Sequence, residues 1–184
     1  MTVQEFSPLR SKASRKPWPE CPDVIIYRCA SCGRLFQDLG GLNPKCSPCC
    51  CTEPMERLIP LDAGELPPDL SLDYAIVGGF NNNAVQVFWK ATDPEMRPEW
   101  IMLRTFTGGY IKYLGPKKYP PLVFPLSDED AYVYCDRQEC ERCVFRCKKG
   151  FIIYAWFSAG LVELPMDKVS DYFKTRKKQA NCSE

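Results

Sequence analysis

The chain has 184 residues, 45% of them apolar and 26% charged, and a formal net charge of +1 at pH 7. That length suits one domain with a real core or two small ones, and the near-neutral charge gives no electrostatic case for nucleic acid or a membrane surface as partner. Twelve cysteines against no histidine exclude more, since no Ser-His, Cys-His or His-metal catalytic machinery can be built here.

Residues 1–22 carry Pro8, Pro17, Pro19 and Pro22 with little apolar content, and read as a disordered arm. They contain no apolar run of signal-peptide length, and no later stretch is long enough to span a bilayer. The expected setting is therefore cytoplasmic. Thiols stay reduced there, so clustered cysteines read as metal ligands before disulfides. The cations at the two ends, Arg10, Lys12, Arg15 and Lys16, then Lys174, Arg176, Lys177 and Lys178, read as solvated termini.

Residues 23–61 form a cysteine-rich unit. A strand over Val24–Arg28 feeds into Cys29, and a short strand over Glu56–Ile59 follows the last cysteines of the group. The acidic, proline-bearing stretch 61–73 has the composition of a linker. Beyond it, over 62–163, alternation with a period of two argues for a β-sandwich. Val85, Val87 and Trp89 alternate with Gln86, Phe88 and Lys90 in Ala84–Ala91. Ile101 and Leu103 alternate with Trp100 and Met102 in Glu99–Phe106. Thr107-Gly108-Gly109 turns the chain into Tyr110–Leu114, a hairpin partner. Pro116, Pro120, Pro121 and Pro125 hold the next segment at a sheet edge or outside the sheet. Ala131–Tyr134 and Phe151–Ser158 are further strands. Residues 164–184 hold a helix over Pro165–Lys178, with Met166, Val169 and Phe173 at helical spacing, and a tail. The fold class is mainly β: a knuckle domain of rubredoxin or zinc-ribbon type, a β-sandwich and a C-terminal helix.

Cys29-Ala-Ser-Cys32-Gly33 is a metal knuckle: two thiolates on one turn, with a glycine that lets backbone N–H groups face the sulfurs. Cys46, Cys49, Cys50 and Cys51 follow in the next loop. Four sulfurs from two such turns give closed tetrahedral coordination for zinc or a single iron. Cys46-x-x-Cys49 has the spacing of a second knuckle, and Cys50-Cys51 is an adjacent pair, so the spacing leaves both choices open. A second cluster, Cys135, Cys140, Cys143 and Cys147, offers four thiolates for zinc or an iron–sulfur cluster. Cys29 and Cys32 joined instead to Cys140 and Cys143 would resemble β-tent domains such as Yippee and Mis18. The carboxylates Asp93, Glu95 and Glu99, and Asp128, Glu129 and Asp130, read as solvated turn residues. Trp89, Trp100 and Trp156 read as core.

The run YRCASCGRLF…CCTEPMERL over 27–58 resembles the N-terminal domain of desulfoferrodoxins. The resemblance implies one iron held by Cys29, Cys32, Cys50 and Cys51, with Cys46 and Cys49 an insertion. It extends through Pro98-Glu99-Trp100-Ile101, Tyr110–Leu114 and Tyr134-Cys135. It also implies an immunoglobulin-like sandwich carrying a second iron, bound by four histidines and a cysteine, that reduces superoxide. Here Cys135 is retained. The histidine positions fall on Leu72 or Asp73, on Asp93, near Met96 and on Gln138. Without imidazoles that second iron has no site, so superoxide reductase activity is not expected.

Three function classes follow. The first is a metal-binding, desulfoferrodoxin-like protein whose thiolate sites are structural or electron-transferring, with a protein or redox partner. The second is a zinc-stabilised interaction module. The third, and the only enzyme among them, is a thiol oxidoreductase using a pair such as Cys140 and Cys143.

Overall fold

The computed structural model describes residues 24–38, 47–77, 83–131, 148 and 150–166. In the N-terminal unit, β1 (Ile25–Arg28) pairs antiparallel with β2 (Leu35–Asp38). A two-stranded hairpin follows, formed by β3 (Cys49–Cys50) and β4 (Glu53–Pro54), and β5 (Glu56–Arg57) then pairs with the other edge of β1. Successive side chains of a strand point to opposite faces, and β1 uses both. Ile26 packs toward the rest of the molecule, whereas Tyr27 packs with Cys29 and Met55 on the far side.

The remaining strands form two sheets. The larger has the order β10-β9-β12-β13-β6, and the smaller β11-β8-β7. The strands are β6 (Leu61–Asp62), β7 (Leu70–Val77), β8 (Ala84–Ala91), β9 (Trp100–Arg104), β10 (Gly109–Tyr113), β11 (Leu122–Pro125), β12 (Ile152–Phe157) and β13 (Gly160–Pro165). All pairings in these sheets are antiparallel except β13 with β6. The two sheets close over one core that includes Ile76, Val85, Val87, Phe124, Ile101, Leu103, Ile153 and Phe157. Each such side chain contributes about 1.5–3 kcal/mol through removal from water.

The alternation in Ala84–Ala91 holds: Val85, Val87 and Trp89 are buried and Phe88 and Lys90 exposed. Along β9 every residue is buried. Ile101 and Leu103 enter the sandwich core, while Trp100 and Met102 form a second cluster with Tyr154, Trp156, Leu161 and Ile26. That cluster seats the cysteine-rich unit on the outer face of the larger sheet. Gln37 donates to the Met102 sulfur at 3.6 Å across the same contact.

Several expectations change. The stretch 61–73 is no simple linker: Leu61–Asp62 pairs with β13, and Leu70 begins β7. Pro165 closes β13 rather than opening a helix, and residues 167–178 of that expected helix lie outside the described residues. Ala131 ends a 3-10 turn over Asp128–Ala131, and the rest of the expected strand to Tyr134 is also outside. Residues 1–22 lie outside too. Asp130, expected to be solvated, is buried, and its Oδ2 accepts from the Tyr110 hydroxyl at 3.4 Å. The turn carries it inward, next to a buried Lys148 whose Nζ donates to the Asp130 and Ala131 carbonyls at 3.1 and 2.9 Å. β11 lies at the edge of its sheet, as its flanking prolines require.

Candidate metal centre

Two turns bring the sulfurs together. Cys29 leaves the end of β1 with its N–H donating to the Arg34 carbonyl at 2.9 Å, and the Gly33 N–H returns to the Cys29 carbonyl at 2.9 Å. Gly33 has φ +71°, a left-handed conformation in which a Cβ is penalised, so the knuckle closes there on glycine. The second turn is the β3–β4 hairpin. Cys49 pairs with Pro54 and Cys50 with Glu53, leaving Cys51 and Thr52 as a two-residue loop. Their φ values of 51° and 66° have the sign pattern of a type I′ turn, which matches the twist of paired strands. Asn-Gly is the usual occupant; a β-branched Thr52 there stores on the order of 1–3 kcal/mol of backbone strain. Ser31 of the first turn donates to Glu53 Oε2 at 3.2 Å, linking the two.

The Sγ atoms of Cys29, Cys32, Cys50 and Cys51 all lie within 4.8 Å of one another. Cys32 and Cys50 are 3.6 Å apart, and Cys50 and Cys51 3.9 Å. A tetrahedron with metal–sulfur bonds of ~2.3 Å has edges of ~3.8 Å. The spacing fits a closed four-thiolate site, and each of the four is a free cysteine. Cys29 is buried against Tyr27 and Met55, Cys50 is half-buried, and Cys32 and Cys51 face solvent.

The electrostatics favour a cation. The backbone hydrogen bond at Arg34 and the neighbouring thiols of Cys29, Cys50 and Cys51 bring the Cys32 thiol down to about 7. The same contacts work the other way on its neighbours. Hydrogen bonding to Cys32 first, then to Cys50 and Cys29, pushes Cys51 up to about 12, and Cys50 is raised for the like reason. Thiolates this close repel, so Cys32 ionises readily while Cys50 and Cys51 hold their protons until a positive ion compensates them.

Among the described residues this is the one group of cysteines and carboxylates that could hold a metal ion. Cys49 stays outside it, facing solvent with its Sγ donating to the Ser47 carbonyl at 3.8 Å. Cys46, Cys135, Cys140, Cys143 and Cys147 lie outside the described residues, as does Gln138. Of the other positions that the resemblance aligns with histidine, Leu72 is buried in the sandwich core. Asp73 Oδ1 accepts from the Tyr74 N–H at 2.8 Å. Asp93 caps a 3-10 turn by accepting from the Glu95 N–H at 2.9 Å, and the Met96 sulfur accepts from Ser158 at 3.0 Å.

Sequence reasoning missed the support beneath the site. Arg28, adjacent to Cys29, places its guanidinium 5.7 Å from the centre of the Trp156 ring, and Trp156 stacks on Trp100 at 6.4 Å and 7°. The signal available was the dual-faced pattern of β9, which needed a partner for its Trp100 face.

No protein-family model matches the chain, and no curated protein does. Among solved structures, the chain is similar to the superoxide reductase from Treponema pallidum, with 16% identity and a TM-score of 0.49. That similarity covers 77% of this chain and 98% of that one. At this level it assigns no residue and no activity. Among the described residues no helix is long and apolar enough to cross a membrane.

Proposed function

We propose that the chain is a metal-binding, desulfoferrodoxin-like protein in which Cys29, Cys32, Cys50 and Cys51 hold one zinc or iron ion, and that it does not reduce superoxide. The observation that carries this reading is the set of four sulfurs within 4.8 Å of one another, spaced near the edge length of a tetrahedral metal–thiolate site. The choice of Cys50 and Cys51 as the second pair rests on the same geometry, which leaves Cys49 outside the group. The lack of histidine anywhere in the chain supports the negative half of the proposal, because an iron that needs imidazole donors has none here. A reducing, cytoplasmic setting suits free thiols.

Bound metal would tie the β1–β2 turn to the β3–β4 hairpin, and iron would in addition supply a one-electron couple. Zinc would make the site purely structural, the metal then fixing the unit whose Ile26 and Arg28 pack on the Trp100–Trp156 face. Metal analysis and optical absorption of protein purified without added metal separate the two. Iron with sulfur-to-iron absorption bands supports electron transfer, and colourless protein with zinc supports the structural role. Protein that is folded across residues 24–58 and metal-free overturns both.

A further inference from the structure

Exposure divides the four sulfurs unequally, and that division has chemical consequences. Cys29 is sealed at 3% exposure beneath Tyr27 and Met55, while Cys32 and Cys51 face solvent. Cys32 and Cys50 stand 3.6 Å apart, and they come from different loops, 18 positions apart in sequence. Cys51 is also exposed and lies within 4.8 Å of Cys32, but the sulfur in direct contact with Cys32, at 3.6 Å, is that of Cys50. Cys50 and Cys51 are neighbours in sequence, with Cα atoms held about 3.8 Å apart by the trans peptide, below the roughly 4.4–6.8 Å that disulfides span. Any bond to Cys29 requires access to a buried sulfur.

We propose that the site, read as above to hold a metal, is also a peroxide-sensitive release switch that acts through a Cys32–Cys50 disulfide. The exposed Cys32 thiolate attacks one oxygen of a hydroperoxide, the O–O bond breaks, and the other oxygen leaves as an alcohol or water after taking a proton. Cys32 is then a sulfenic acid. The Cys50 thiolate attacks its sulfur, the S–O bond breaks, and hydroxide leaves and is protonated to water. The two cysteines lose two electrons in total and the hydroperoxide gains them. Cys29 and Cys51 remain as donors, too few for a closed four-thiolate site. Because the bond joins the knuckle to the hairpin, it holds the two loops together once the metal has gone, and reduction by a dithiol restores the site.

The test uses full-length zinc-loaded protein treated with hydrogen peroxide, with free zinc followed by a chromogenic chelator and disulfides mapped by mass spectrometry. The expected result is release of the zinc held by this site, in step with a Cys32–Cys50 crosslink, reversed by dithiothreitol and added zinc. Cys49→Ser, which alters no ligand, should release zinc like the parent. Zinc retained under peroxide, or released with a crosslink that lacks Cys32 or Cys50, overturns the switch while leaving the metal site standing. Protein that binds no metal at residues 29–51 overturns the underlying reading instead.

Discussion

The sandwich and the cysteine-rich unit are held together by different forces. The sandwich closes two sheets over a broad apolar core in which Ile76, Val85, Val87, Ile101, Leu103, Phe124, Ala155 and Phe157 have no exposed surface. The unit on its outer face has strands of two to four residues, and on its metal side a core of Tyr27, Cys29 and Met55. An apolar cluster of that size cannot offset the conformational entropy of ordering the segment, so the unit depends on its docking against Trp100 and Trp156 and on whatever joins its sulfurs. A fold of this kind can place a strained, polar, reactive site on its surface because the stability resides in the other half.

The strongest way to break this contrast is Cys29→Ser. It removes the one buried ligand, so the metal of this site should be lost and hydrogen-exchange protection over residues 24–58 should collapse, while the sandwich strands stay protected. The large effect follows from metal affinity being folding free energy in such units, on the order of 10 kcal/mol. If both regions keep their protection, the site is not structural. Phe124→Ala probes the other half: it should cost about 3–5 kcal/mol in denaturant unfolding and leave metal content unchanged. Arg28→Ala acts at the seam, and loss of the guanidinium over Trp156 should cost roughly 0.5–2 kcal/mol and shift tryptophan emission. An unchanged spectrum in that variant would show that the seam does not depend on Arg28.

The smallest effect is one of pH, in metal-free protein. The Cys32 thiol is lowered from 9.0 to about 7, so its contribution to stability is present above pH 9 and is lost as pH falls through about 7. Cys51 is raised to about 12, so its contribution is present below pH 9 and fades only toward pH 12. Alkylation by iodoacetamide should therefore label Cys32 with a midpoint near pH 7 and Cys51 last of the two. Equal labelling of both at pH 8 would contradict the geometry that distinguishes them.

Legibility in the sequence followed the same division. Where one face is buried and the other wet, as in Val85, Val87 and Trp89 of β8, a period of two gave the strand and its inner face. β7 carried the same signal in Leu70, Leu72 and Ile76, but Pro67, Pro68 and the acidic residues before it made the segment look like a linker. The two-residue pairing of β6 with β13 has no local signature, since only the closed sheet creates it. β2 was hidden because Leu35 and Phe36 serve opposite faces of a three-stranded patch too short for a pattern. In the site, the first knuckle was plain from Cys29-x-x-Cys32-Gly33. The other half was ambiguous between Cys46 with Cys49 and Cys50 with Cys51 because spacing alone does not say which residues occupy the hairpin turn. The positive φ values of Cys51 and Thr52 settle the shape of that turn, and Cys49 then falls outside the group of four.

X-ray absorption at the edge of the metal bound by the purified protein tests the central claim most directly. The account predicts four sulfur neighbours at about 2.3 Å and no nitrogen shell, with the signal lost in Cys29→Ser. A mixed nitrogen or oxygen shell, or a spectrum unaltered by that substitution, would contradict it.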